Sequence, residues 1–271
     1  MHFSKSLSVL CALGLTSFAD AQAVTLGAAA QYAVFAATTI TNTGLTAIGA
    51  KIGLSPGTSI TGFPPGVNAG QDVNNANALQ AKADLQTAYT ALQGLTPTVS
   101  LTGQDLGTVG TLTPGIYNFA SSGGLTGTLT LDAQNNPNAV FVFQFGSTLT
   151  TATASSVILI NGAQACNVFW QVGSSATFGT GTNFIGVVIA QASITATTGV
   201  ALRGGGFYAL AAAVTLDTNA IDPNGACGAA VVPTSSTAVV GVQVSVVPLP
   251  VVTVQASVRS AHDGESKLSS N

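Results

Sequence analysis

The side chains able to do acid–base, nucleophilic or metal chemistry are few in this sequence, and they combine poorly. Between Gln22 and Gly228 there is no His and no Glu; the acids are Asp72, Asp84, Asp105, Asp132, Asp217 and Asp222, and the bases are Lys51, Lys82 and Arg203. A Ser-His-Asp or Cys-His relay cannot be assembled from this set, and neither can a zinc site built on His or on a cysteine cluster. What remains is a pair of Asp carboxylates flanking a glycosidic bond. Asp132 and Asp217 are the candidates, since each closes a Thr-Leu-Asp run and the two would lie alike on one face. A carboxylate ending a strand also bonds backbone N–H groups of the next corner, and a sugar-cleaving groove calls for aromatics and cations that are scarce here. The lone Trp170 sits in an apolar run and reads as core. Gly123-Gly124 and Gly204-Gly205-Gly206 lack the helix and lysine of a phosphate-binding loop and read as tight corners. The expectation is a protein that is not an enzyme, with no cofactor and no metal.

The abundant polar groups are hydroxyls, and they recur. Phe141–Phe145 leads to Thr148-Leu149-Thr150, Val168–Val172 to Thr177-Phe178, Val187–Ala190 to Ile194-Thr195-Ala196-Thr197, and Phe207–Leu210 to Val214-Thr215-Leu216. Looser copies set Tyr32–Phe35 before Thr39-Ile40-Thr41 and Ile116–Phe119 before Thr128-Leu129-Thr130. Thr177, Thr195 and Thr215 lie 18 and 20 residues apart, about one coil of a three-sided parallel β-helix with five or six residues per side. Side chains alternate across a strand, so Leu149, Phe178, Ile194 and Leu216 should point inward. Thr148, Thr150, Thr177, Thr195, Thr197 and Thr215 should then point outward on consecutive coils, with Thr180, Thr198 and Thr218 at the margin where each strand turns. One stretch is helical: from Asp72 to Leu92, Ala78, Ala81, Leu85, Ala88 and Leu92 recur at steps of three and four, with Asp72 as N-cap and Gly94 as stop.

Composition bounds the partners. Charged residues make up 6% of the chain, against about 25% in an ordinary soluble domain. The net charge of −3 supplies no basic footprint for nucleic acid or an anionic membrane, and no obligate protein partner is evident. Residues 1–21 read as an export signal: Lys5, an apolar run from Leu7 to Phe18, and the small-residue cleavage site Ala19-Asp20-Ala21. A secreted, extracellular body is expected over 22–228, followed over 229–271 by a Val-, Ser-, Thr- and Pro-rich tail. Cys11 leaves with the signal, so Cys166 and Cys227 remain, either as a disulfide, which an oxidising compartment favours, or as two buried thiols. A neutral array of methyls and hydroxyls suits two partners, an ice crystal surface or the surface met by a non-catalytic solenoid adhesin or cell-wall protein, and the repeat alone leaves both open.

Several segments resemble the DUF3494 family of ice-binding proteins, from about Leu26 to Ile221. They include Tyr32-Ala-Val-Phe35, Ile52-Gly-Leu-Ser-Pro56, Ile60-Thr-Gly-Phe63, Pro114-Gly-Ile-Tyr117, Asn161 to Ser175, and Ala213-Val-Thr-Leu-Asp217. The resemblance implies a mostly β fold: a discontinuous right-handed β-solenoid of triangular section with one long α-helix packed alongside. It further implies adsorption to ice through one flat face, with thermal hysteresis and inhibition of ice recrystallisation. A Thr-Ala/Gly-x-Thr/Asn pattern found on that face in some bacterial members is matched by Thr180-Gly-Thr-Asn183 and Thr195-Ala-Thr-Thr198; Thr215-Leu-Asp-Thr218 departs at its second position. Where members often have Gly-Asp-Ile-Gly, this chain has Gly49-Ala-Lys-Ile-Gly53.

Overall fold

The structure is a computed structural model that describes residues 24–225. The export signal, the tail from 229 and Cys227 lie outside the described residues. Among the described residues twenty-three short strands form three sheets, and every strand pair within them is parallel. Apart from the strands flanking the helix, successive strands visit the three sheets in turn, so each circuit is one coil of a β-solenoid and each sheet is one face.

The first face has nine strands, in spatial order Gln71–Val73, Lys51–Leu54, Tyr32–Ala36, Phe207–Ala209, Val187–Ala190, Val168–Val172, Phe141–Phe145, Gly115–Phe119 and Val99–Ser100. Its five central strands, from Tyr32–Ala36 to Phe141–Phe145, are buried on both sides, which explains why they read as mostly apolar runs instead of alternating. Inward, Tyr117, Phe143 and Trp170 occupy matching positions on adjacent coils. Their rings stack, 5.3 Å between the first pair and 4.1 Å between the second. Trp170 is core and donates its indole N–H to the Ile185 carbonyl at 2.8 Å. Outward, the same strands meet a single long helix, α1 (Ala76–Gln93). Ala78, Ala81, Leu85, Ala88 and Leu92 are all buried there, joined by Tyr89, against Val142, Phe169, Ile189 and Tyr208. The small alanines let the helix lie close to the sheet.

The start of α1 differs from expectation. Its N-cap is Asn75, whose side chain accepts from Ala78 N–H at 3.0 Å. Asp72 belongs to the last strand before the helix and is buried among donors: the Tyr32 hydroxyl at 2.8 Å, Lys51 Nζ at 3.2 Å and Asn75 Nδ2 at 2.7 Å. It holds the capping residue and leaves the capping to it. Gly94 does end the helix, but with right-handed backbone (φ −79°); Leu92 O accepts from Gly94 N–H, and Gln144 Nε2 donates from the sheet to Leu92 O at 2.7 Å and to Leu95 O, just past the helix, at 2.9 Å.

The coils do not stack in chain order. The chain enters at the coil of Tyr32–Ala36, Thr39–Thr43 and Ala47–Ile48, winds to one end, then returns alongside as α1 to the far end at Val99–Ser100. From there it winds back until its last coil pairs with its first. Nine strands at about 4.8 Å are roughly 38 Å across, and an 18-residue helix covers about 27 Å of that return. The helix is therefore the connector that makes the solenoid discontinuous.

Candidate functional site

The second face has seven strands in the order Gly123–Leu125, Leu149–Thr151, Ala176–Phe178, Ile194–Ala196, Val214–Asp217, Thr39–Thr43 and Ser59–Thr61. Leu149, Ala176, Ile194, Val214 and Ile40 align and point into the core, as do Phe178, Ala196 and Leu216. The position between them points out. Thr150 aligns with Thr177, Thr177 with Thr195, Thr195 with Thr215, Thr215 with Thr41 and Thr41 with Thr61, a ladder of six threonines on six adjacent strands. Thr150, Thr177, Thr215 and Thr61 are exposed; Thr195 and Thr41 are half-buried. Beyond Thr150 the ladder ends at Gly124.

A second outward row precedes the first by two residues. Thr148, Ser175, Ser193, Ala213 and Thr39 stand one position before the aligned inward residues, with Ser122 and Ser59 at the two ends. Thr148 donates its hydroxyl to Ser122 Oγ at 2.9 Å. This row is small and hydroxylated, and the threonine row beside it is bulkier. Outward rows on one strand are about 6.6 Å apart and neighbouring coils about 4.8 Å, so from Thr150 to Thr61 the face is a two-dimensional lattice of methyls and hydroxyls without a charge at either row; the first charge, Asp105, stands beyond Gly124 at the end of the threonine column.

The remaining threonines expected on the face sit at its edge. Thr197 follows its strand, is half-buried and donates to Phe178 O at 2.8 Å. Thr180 lies 3.3 Å from the Thr197 hydroxyl, and Thr198 and Thr218 both donate to the Asp217 carboxylate. Thr180, Thr198 and Thr218 are exposed at the corner leading to the third face. The two copies of the four-residue pattern thus fall in different places: Thr195-Ala-Thr-Thr198 begins mid-strand, whereas Thr180-Gly-Thr-Asn183 rounds a corner, with Thr182 buried and Asn183 opening a third-face strand. Thr151 is also buried, its hydroxyl 2.9 Å from that of Thr182.

The third face has seven strands, in spatial order Ala47–Ile48, Ala220–Asp222, Ala201–Arg203, Asn183–Ile185, Ser156–Ile160, Thr128–Asp132 and Thr111–Leu112. Thr128-Leu129-Thr130, read from the sequence as a copy of the threonine strand, lies here; the second-face strand of that coil is Gly123–Leu125. Asp132 and Asp217 therefore occupy different faces. Asp132 accepts from Gln134 N–H at 2.7 Å and Asn161 Nδ2 at 2.9 Å, which is the corner-bonding role, and the paired-carboxylate arrangement is not formed. Thr41, Thr61 and Ser59 join the second-face rows without having been marked as site residues, although Thr39-Ile-Thr41 and Ser59-Ile-Thr61 both repeat the outward–inward–outward pattern that would have found them.

Residues 34–222 match the ice-binding-like family. The chain is 52% identical over 197 residues to an ice-binding protein of Nostoc sp., covering 72% of each chain. It is similar to the crystal structure of an ice-binding protein from the Antarctic ascomycete Antarctomyces psychrotrophicus, with 44% identity and a TM-score of 0.71 over 74% of this chain and 98% of that one. The DUF3494 domain of Shewanella frigidimarina ice-binding protein 1 is similar at 32% identity and a TM-score of 0.67, over 74% and 97% of the two chains. Matched by the family over residues 34–222 and 52% identical to the Nostoc protein across 72% of this chain, the protein belongs to the ice-binding-like family.

Proposed function

We propose that the protein is a secreted, non-catalytic ice-binding protein that adsorbs to ice crystals through the second face, giving thermal hysteresis and inhibiting recrystallisation. The observation that carries this reading is the six-threonine ladder, aligned across a pairing of coils that are far apart in the chain. Threonine is stiff at χ1 because it is branched at Cβ, so each coil presents its methyl and hydroxyl in a repeated geometry. Methyls order neighbouring water and hydroxyls anchor it. A charged side chain would orient water about itself, and the ladder contains none. Adsorption sums many weak contacts over the lattice, for which Thr148, Thr150, Thr177, Thr195, Thr215, Thr41 and Thr61 form the body and Thr180, Thr197, Thr198 and Thr218 the margin.

In this reading the ice surface is the partner, and neither nucleic acid, membrane nor an obligate protein partner is required. Residues 1–21 are removed on export, 22–228 form the working body, and 229–271 contribute little; truncation after Gly228 should leave hysteresis and melting nearly unchanged, and a large loss of either would show that the tail is needed. The direct experiment is thermal hysteresis and ice-recrystallisation inhibition by the purified protein. Absence of both, in a folded sample, would sink the proposal and leave a solenoid adhesin in its place.

A further inference from the structure

A cleft of about 440 Å³ lies between the C-terminal half of α1 and the first face, away from the threonine ladder. Its walls are mainly side-chain amides, completed by Tyr89, Phe145 and two glycines. Asn118, Gln144 and Gln171 occupy one outward column on three consecutive coils, and Gln86 and Gln93 face them from the helix, with Tyr89 between. Along that column the next outward residues are Ile189, Tyr208 and Phe35, which pack in the apolar seam beneath the helix. The chemistry thus switches from hydrocarbon to carboxamide where the cleft begins, and no charged residue lines it.

From this we infer that the cleft is a binding site for a neutral saccharide. An ionic ligand entering it would lose hydration with no counter-charge to meet it. Carboxamides pair a donor with an acceptor in fixed geometry, and so do sugar hydroxyls. The walls are held in advance. Gln144 is tied to Leu92 O and Leu95 O, and Gln171, only 3% exposed, donates to the Tyr89 hydroxyl at 2.8 Å. That last pair leaves a donor over. If the Gln171 amide donates, the Tyr89 proton is directed elsewhere; if the amide is turned over and accepts, its NH₂ is. In both orientations the pair itself consumes only one of its donors. The volume lies in the range of small-molecule sites, and the aromatic rings of Tyr89 and Phe145 are buried instead of forming an open stacking platform. Binding should therefore be of millimolar strength, resting on hydrogen bonds.

The test uses the full mature chain, with side-chain amide resonances followed by NMR during titration with maltotriose, cellotriose and mannotriose, and with a trigalacturonate as charged control. Saturable shifts at Gln144, Gln171 and Asn118 are expected with at least one neutral trisaccharide and none with the charged one. Asn118→Leu and Gln86→Leu, which touch neither the core nor the ladder, should weaken that binding about tenfold, or about 1.4 kcal/mol, with thermal hysteresis unchanged. No saturable shift up to roughly 50 mM, equal response to the uronate, or shifts indifferent to both substitutions would each overturn the site. Because hysteresis is read separately, loss of this site and loss of the ice-binding reading are distinguishable.

Discussion

The second and third faces are made by the same coils with the same backbone repeat, yet only one of them is a lattice. On the third face one outward column runs Thr128, Ser156, Asn183, Ala201, Ala220 and Ala47, and the next holds Thr130, Ile158, Ile185, Arg203 and Asp222. Methyl, amide, guanidinium, carboxylate and a 45%-exposed Ile158 follow one another there without period. On the second face the corresponding position is threonine six times over. A parallel solenoid supplies regular spacing to every face. A surface that must match another lattice needs side-chain period as well, and that is where the two differ.

The largest effect should come from placing a bulky side chain in the ladder. Thr177→Tyr, Thr195→Tyr and Thr215→Tyr should each remove most of the thermal hysteresis, because the ring holds water and ice off neighbouring coils. Thr41→Tyr should do the same, since Thr41 donates to the Thr215 hydroxyl at 3.4 Å from 174 residues away in the chain. Ala201→Tyr on the third face should leave activity intact. All five positions are outward, so melting should shift by no more than about 0.5 kcal/mol. Full activity in the ladder variants with loss in Ala201→Tyr would overturn the second-face assignment and move the function to the third face.

Next comes stability without loss of the lattice. We propose that Cys166 bonds Cys227. Gly204, with φ +70°, lies between two segments: a Cβ there would stand 2.1 Å from Ala165 Cβ and 2.9 Å from Gly225 O. Cys166 is the neighbour of Ala165, and Cys227 follows Gly225 by two residues in the sequence. Cys166→Ser should lower stability by about 2–4 kcal/mol, or roughly 5–15 °C in melting temperature, while hysteresis near 0 °C persists because the ladder is on another face. Two titratable thiols in the unreduced, denatured protein would refute the bond.

Acid should separate the faces more gently. The Asn75 amide, followed by Tyr32 and Lys51, holds the Asp72 carboxyl down at about 2 from an ordinary 3.8, against the opposing effect of burial. A lowered carboxylate stabilises the fold fully above its unfolded value and ceases to do so as pH falls through its folded value. Melting should therefore drop between about pH 4 and pH 2, by roughly 1–2 kcal/mol once the partly exposed lysine is discounted. Asp72→Asn should flatten that drop. At the alkaline end burial raises the Tyr32 and Tyr208 hydroxyls above 10, so their contribution is present below pH 10 and is lost as pH rises beyond it. The uncharged ladder predicts hysteresis that is constant across the range where the protein stays folded.

What could be read from the sequence follows the same division. The alignment of Thr177, Thr195 and Thr215 was legible because one coil length separates them and each sits between apolar residues. The buried stripe of α1 was legible from its 3.6-residue period. The junction of Thr215 with Thr41 was not, since no local pattern encodes which coil stacks on which when a helix carries the chain to the far end. Thr128-Leu-Thr130 misled because alternation is the same on any half-exposed strand, whichever face it occupies. Thr151 and Thr182 were invisible as buried residues because their hydroxyls are satisfied by each other, a contact 31 residues apart in sequence. Asp72 and Asn75 are both good caps by type, and only the extra donors around Asp72 decide between them.

The smallest effect is expected from removing one group of the ladder at a time. Thr195→Ser keeps the hydroxyl and discards the methyl; Thr195→Val keeps the methyl and puts a second methyl in place of the hydroxyl. Thr195 is half-buried between Thr177 and Thr215, so its contribution is shared with both neighbours. If adsorption sums over the lattice, each substitution should reduce hysteresis only slightly and alter stability by less than about 0.5 kcal/mol. The same change at Thr177, Thr195 and Thr215 together should reduce it by more than three times the single effect, because ordered water spans adjacent coils and a run of altered coils leaves no intact neighbour to hold it. Hysteresis at matched concentrations for the single and triple variants decides this. A single serine that abolishes activity would mean one hydroxyl anchors the ice, and strict additivity would mean that the coils act independently.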